Sequence, residues 1–296
     1  MTGHLVVGID GSDESGTALE WAVAEAQLRQ LDLQILHALN VPMVADPYGS
    51  PIALPRVDEL EAYAGNLLTV AQQKATELAP ELVVSTRFEM GAPAAVLLRA
   101  SEEADGVVVG SRGLGSIGGA LIGSVSIRLA GKSASPVFII PPEVGDLDAV
   151  DGPVVAGVDG SAFGDAALLL ALKEAALRGT SVRAVCAYHL PWLAMPTDPE
   201  LISEFDAAER AYAERMIGES VERVRTQDCQ SVAVDLEVIK SPPADALIES
   251  GKDAALTIVG SRGHGALRRM LLGSISRAVL QEATRPVAIV HLHKEA

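Results

Sequence analysis

Short apolar runs alternate along this chain with longer stretches in which apolar residues recur every three or four positions. Leu5-Val6-Val7-Gly8-Ile9 and Val137-Phe138-Ile139-Ile140 are the clearest runs, with the length and β-branched content of strands buried on both faces. The pattern predicts strands near 5–9, 32–38, 82–88, 106–109 and 137–140, and helices near 12–29, 58–79, 93–103 and 122–132. Ser12 is a candidate N-cap for the first helix, on which Ala18, Trp21, Ala22 and Leu28 make one apolar face. The alternation then repeats, with strands near 154–158, 182–187, 232–239, 256–259 and 287–290. Strand–helix alternation of this kind implies an α/β fold: two tandem doubly wound domains, each with a five-stranded parallel sheet flanked by helices.

The repetition is literal as well as periodic. Val7-Gly8-Ile9-Asp10-Gly11-Ser12 returns as Ala156-Gly157-Val158-Asp159-Gly160-Ser161, 149 positions later, and Pro93, Gly110, Gly123 and Pro136 return 150 positions later as Pro243, Gly260, Gly273 and Pro286. Between the copies, Pro141 to Gly152 carries two prolines and four acidic residues, the composition of a linker. The expected domains are residues 1–142 and 153–296, joined by 143–152. With strand order 3-2-1-4-5, the ligand crevice lies outside the carboxyl ends of strands 1 and 4. Asp10 would then face Gly110 across one cleft, and Asp159 would face Gly260 across a second.

Those glycines open the most informative motif. Gly110-Ser111-Arg112-Gly113, nine residues, then Gly123-Ser124 recurs as Gly260-Ser261-Arg262-Gly263, nine residues, then Gly273-Ser274. Glycine lets backbone N–H groups approach an anion closely, and a helix start aims unpaired N–H groups and a positive dipole end at it. The motif therefore reads as a phosphate loop, with Ser124 and Ser274 as candidate N-caps and Arg112 and Arg262 as candidate phosphate partners or solvent-facing loop residues. Ser111 and Ser261 can add hydroxyl donors or simply serve the turn. On this reading Gly110→Val or Gly123→Val fills space that phosphate needs and leaves the fold largely intact. No G-x-x-x-x-G-K-[ST] is present, and Gly113 to Gly118 spells G-x-G-x-x-G too late in its domain to be a dinucleotide fingerprint.

Composition narrows the partners. The chain has 296 residues, 49% hydrophobic but only 3% aromatic, and a net charge of −16 from 23 basic and 39 acidic residues. That charge repels nucleic acid and anionic membranes, so a nucleotide must be captured by local backbone and Arg groups against the global field. No signal-like segment or run of about 18 apolar residues is evident, and a cytoplasmic protein is expected. Cys186 and Cys229, 43 positions apart, have no metal or redox spacing, and Cys186 reads as a small core residue. His37, His189 and His264 form no metal spacing, and His37, at a strand end, reads as packed or capped.

With its signature G-x2-G-x9-G-[ST] complete in both copies, the chain resembles the universal stress protein family in its tandem form. The resemblance covers nearly the whole chain apart from the linker and the segments after each second strand. It implies a Rossmann-like fold of the adenine nucleotide alpha hydrolase kind, bound ATP, dimerisation through the last strand, and a role in stress or growth control. It also implies that Asp10 and Asp159 lie near ribose and phosphates, and that the chain around Ala38 and Ala187 meets adenine through its backbone. The candidate site in the first half is thus Gly8, Ile9, Asp10, Ala38, Val109, Gly110, Arg112, Gly113, Gly123, Ser124 and Val125. In the second half it is Gly157, Val158, Asp159, Ala187, Val259, Gly260, Arg262, Gly263, Gly273, Ser274 and Ile275.

An ionised Asp beside a triphosphate is better placed accepting ribose hydroxyls or acting through a Mg²⁺ bridged by the phosphates. The alternative is that Asp10 and Asp159 cap the next helix or form an Asx-turn in Asp-Gly-Ser. The proline-rich segments 41–57 and 190–199 can cover adenine, receive a partner, or be plain surface connections. No nucleophile with an adjacent base, carboxylate pair or lysine aimed at a γ-phosphate recurs in both copies. The leading expectation is an ATP-binding regulator with little or no turnover, partnered by a second copy and an unidentified regulatory protein. The alternatives are a slow ATPase or adenylyl-transferring enzyme, a scaffold with vestigial sites, and a flavin-type carrier.

Overall fold

The computed structural model describes residues 3–39, 57–114, 122–142, 152–189, 198–263 and 272–292. The linker at 143–152, apart from Gly152, and most of the segments at 41–57 and 190–199 lie outside the described residues. The first half runs β1 (His4–Ile9), α1 (Asp13–Arg29), β2 (Asp32–Leu39), α2 (Val57–Leu78), β3 (Val84–Met90), α3 (Pro93–Ala100), β4 (Gly106–Gly110), α4 (Ser124–Lys132) and β5 (Val137–Ile140). The second runs β6 (Val154–Gly157), α5 (Ala162–Arg178), β7 (Val182–Tyr188), α6 (Pro199–Val224), β8 (Val234–Lys240), α7 (Pro243–Ser250), β9 (Leu256–Gly260), α8 (Ser274–Glu282) and β10 (Val287–Val290).

Each half has the strand order 3-2-1-4-5 with parallel neighbours, and the two sheets join into one of ten strands, β3-β2-β1-β4-β5-β10-β9-β6-β7-β8. The join is antiparallel, with Ala288 opposite Phe138. The last strands thus pair inside the chain. Apolar residues of both halves fill one layer beneath α1, α2, α5 and α6, and a second layer beneath α3, α4, α7 and α8. Strands β4, β5, β9 and β10 are buried at every position, which is why they read as near-continuous apolar runs, interrupted by Thr257 in β9.

Local chemistry sets where the helices begin. Ser12 caps α1 by accepting from the Ser15 amide, and Ser161 caps α5 by accepting from the Gly164 amide. The preceding Gly11 and Gly160 have φ of 89° and 76°, left-handed values that a β-carbon disfavours. Two expectations shift. Leu28 is 37% exposed, while Ala18, Trp21 and Ala22 are buried beside Leu19, Val23 and Ala26; α1 lies so deep between sheet and neighbours that its buried stripe is wider than one face. The caps of α4 and α8 are Gly123 and Gly273, one residue before the expected serines.

Where the halves meet, Glu25 and Arg29 of α1 face Glu174 and Arg178 of α5. Arg29 binds Glu25 at 2.6 Å and also Glu174, while Arg178 binds Glu25 at 2.5 Å and also Glu174. Glu25 and Glu174 are 3% and 0% exposed. Each arginine thus bridges a carboxylate of its own helix and one of the other half.

Candidate nucleotide-binding sites

Each half carries one cleft at the carboxyl ends of its first and fourth strands, where the winding of the sheet reverses. In the first half it encloses about 470 Å³, and in the second about 320 Å³, both within the range of about 300–1,000 Å³ typical of small-molecule pockets. All the candidate residues of the first half line the first cavity, and all those of the second half line the second. The end of strand 1, the end of strand 2, the loop after strand 4 and the start of the following helix thus converge in each half.

At the floor of each cleft a helix begins without a side-chain cap. Gly123 and Gly273 make no side-chain cap bond, and their own amides are held by the carbonyls of Ser111 at 2.7 Å and Ser261 at 2.8 Å. The first-turn amides of α4 and α8 have no acceptor within the helix, and the positive end of the helix dipole faces the cavity. The hydroxyls of Ser126 and Ser276 turn away from that role. They donate to the carbonyls of Gly110 at 2.8 Å and Gly260 at 2.7 Å, pinning the helix start to the end of the strand.

The motif glycines divide into two kinds. A β-carbon on Gly110 would sit 2.9 Å from the Glu14 carbonyl oxygen, and one on Gly260 would sit 2.7 Å from the Phe163 Cβ. A β-carbon on Gly113 would run into the Asp10 carboxylate, and one on Gly263 would lie 2.5 Å from the Asp159 Oδ2. These four positions are closed by the protein itself, which corrects the expectation that Gly110→Val leaves the fold intact. At Gly123 and Gly273 the nearest atoms would be 3.4 Å and 3.5 Å away, ordinary contact distances. Of the six motif glycines, these two alone leave room for a β-carbon in the protein alone.

Asp10 forms the Asx-turn: its Oδ1 accepts from the Ser12 amide at 3.0 Å and hydroxyl at 2.6 Å, and its Oδ2 accepts from the Leu114 amide at 2.8 Å. Burial pushes its carboxyl up, but the Ser12 hydroxyl, the amides of Ser12 and Leu114 and the Ser15 hydroxyl outweigh that and hold it below the usual value. Asp159 repeats the turn with the Ser161 amide at 3.0 Å and hydroxyl at 2.5 Å. The carboxylate therefore ties strand 1 to helix 1 and, in the first half, to the loop after strand 4. Arg112 and Arg262 both line their cavities. His37 is buried, with its Nδ1 2.8 Å from the Ile9 carbonyl oxygen, as expected of a packed strand-end histidine. Cys186 and Cys229 are free and buried.

The sequence reading missed the apolar wall. Leu36, Pro93, Leu97 and Ile122 line the first cavity, and Val185, Pro243 and Leu247 line the second. Pro93 and Leu97 recur at the same offset as the motif glycines, so the signal was present but carried no polar chemistry to mark it. Among the described residues no group of three or more His, Cys, Asp or Glu is placed to hold a metal ion, and no helix is long and apolar enough to cross a membrane.

The sequence model of the universal stress protein family matches residues 1–141 and again 152–291. A universal stress protein of Mycolicibacterium smegmatis is 33% identical over 295 residues, covering 97% of this chain and 96% of the relative. One of Mycobacterium tuberculosis is 33% identical over 297 residues, covering 96% of each. The crystal structure of a universal stress protein from Archaeoglobus fulgidus superposes with a TM-score of 0.72 at 21% identity, covering 99% of this chain and 98% of that one, a likeness of fold. The chain belongs to the universal stress protein family and carries that family's fold twice in tandem.

Proposed function

We propose that each half binds one ATP and that the chain acts as a nucleotide-dependent regulator in stress or growth control, with little or no turnover. The observation that carries this reading is the meeting, in both halves, of an uncapped helix N-terminus with an apolar-walled cleft. Phosphates fit the first turns of α4 and α8, beside Arg112 and Arg262. The adenine fits between the apolar wall and the backbone at Ala38 or Ala187. A Mg²⁺ would arrive with the phosphates, since magnesium keeps several waters and takes few protein ligands.

Asp10 and Asp159 are engaged as acceptors by their own turns, which gives them a positioning role at the cleft. Helices α1 and α5 start at the two clefts and end at the shared Glu–Arg cluster, a direct mechanical route from occupancy to the contact between halves. Because the last strands already pair within the chain, a homodimer would form through another surface, such as the outer strands β3 and β8.

Titration calorimetry tests the reading. Wild type should bind two ATP per chain. Gly123→Val should remove the first site and Gly273→Val the second, each changing folding stability by no more than about 1 kcal/mol, the scale of an N-cap change. Undiminished binding of two ATP by both variants would refute the placement of the phosphates.

A further inference from the structure

The two clefts share a plan but differ where the first helix meets the arginine. In the first half the Arg112 Nε lies 3.8 Å from Glu14 Oε1, and Asp13 adds a second carboxylate to the first turn of α1. In the second half the equivalent residues are Ala162 and Phe163. The Arg262 guanidinium carbon stands 5.5 Å from the centroid of the Phe163 ring. Its Nε is buried without a hydrogen-bond partner, and among the described residues no ion pair reaches it.

Resting on the ATP-binding reading above, we infer that Glu14 and Phe163 set unequal phosphate affinities, making the second half the stronger polyphosphate site and the first the weaker. A guanidinium over an aromatic ring keeps its full charge and its in-plane donors for an incoming anion. One already facing a carboxylate binds an anion only in competition with it, and that carboxylate also repels the phosphates directly. The difference must scale with ligand charge. It is largest for ATP, smaller for AMP, and absent for adenosine, whose contacts are with the apolar wall and backbone. The clefts are open to solvent, so the effect is that of one half-screened charge, roughly tenfold in Kd.

The experiment uses the full chain with one cleft closed at a time to phosphate and base together, by Gly123→Val with Ala38→Trp or by Gly273→Val with Ala187→Trp, and measures Kd for ATP and adenosine at the remaining site. The ratio of adenosine Kd to ATP Kd should be roughly tenfold larger in the second half. Glu14→Gln should raise that ratio in the first half by roughly tenfold, and Phe163→Glu should lower it in the second by a similar factor, adenosine affinity staying constant in both. Equal ratios in the two halves, or substitutions that move ATP and adenosine together, would overturn the inference while leaving two nucleotide sites in place. Failure of either ligand to bind at either site would remove the ATP-binding reading and the inference with it. Glu14→Gln keeps the size and polarity of a half-buried helix residue, so its result does not depend on how well Phe163→Glu folds.

Discussion

Gly110→Val is expected to destabilise the chain by about 3 kcal/mol or more, and Gly260→Val by a similar amount, with nucleotide binding lost only as a consequence. The β-carbon itself would lie 2.9 Å from the Glu14 carbonyl oxygen in the first half and 2.7 Å from the Phe163 Cβ in the second. In the first half the neighbour is backbone of the capped first turn of α1, which cannot step aside without dragging the helix off the sheet. The cost therefore sits at or beyond the upper end of the usual 1–3 kcal/mol for overpacking. Urea unfolding of Gly110→Val beside Gly123→Val separates the two roles. The first should shift the midpoint strongly, whereas the second should leave it nearly in place and lose ATP. Equal midpoints would show that Gly110 is as open as Gly123.

Glu174→Ala should cost about 3 kcal/mol, because it leaves the mostly buried Arg29 and Arg178 side chains to share, among the described residues, the Glu25 carboxylate. Replacing all four charged residues together by apolar ones of similar size should recover most of that loss, since the desolvation of every charge disappears with the pairs. A quadruple variant no more stable than the single one would contradict the cluster's action as a unit. The same cluster gives a pH signature. Burial, reinforced by the neighbouring Glu25 carboxylate and opposed by Arg29 and Arg178, raises the Glu174 carboxyl from 4.5 to about 7. The folded state then holds this proton more tightly than the unfolded state, so stability falls as pH rises from about 4.5 through 7. Glu174→Gln cannot titrate, so wild type should lose stability relative to it across that window and run parallel to it above about pH 8. Parallel curves throughout would contradict the raised carboxyl.

Much of this was legible in the chain. The apolar runs gave the strands because both faces of each sheet are covered, and the 150-position offset gave the tandem halves. The winding reversal, combined with the repeated motifs, is enough to place Asp10 opposite Gly110. Sequence could not say what approaches a glycine. Gly110 and Gly113 look the same as Gly123 in a motif, yet the first two are filled by Glu14 backbone and the Asp10 carboxylate. The N-cap falls on Gly123 instead of Ser124 because Gly123 is extended, with φ −72° and ψ 152°, while its carbonyl already accepts the first helical bond from the Ile127 amide. The Glu–Arg cluster was hidden for a different reason: its partners lie about half the chain apart, and within one helix Glu25–Arg29 is an ordinary i,i+4 pair.

The central claim is that the helix starts at Gly123 and Gly273 receive the phosphates of ATP. A crystal structure of the wild-type chain grown with saturating ATP and Mg²⁺ tests it most directly. The account predicts two nucleotides per chain, with phosphate oxygens within hydrogen-bond distance of the Ser124 and Val125 amides in one half and the Ser274 and Ile275 amides in the other. Nucleotide bound away from both helix starts, or absent from both clefts, would contradict it.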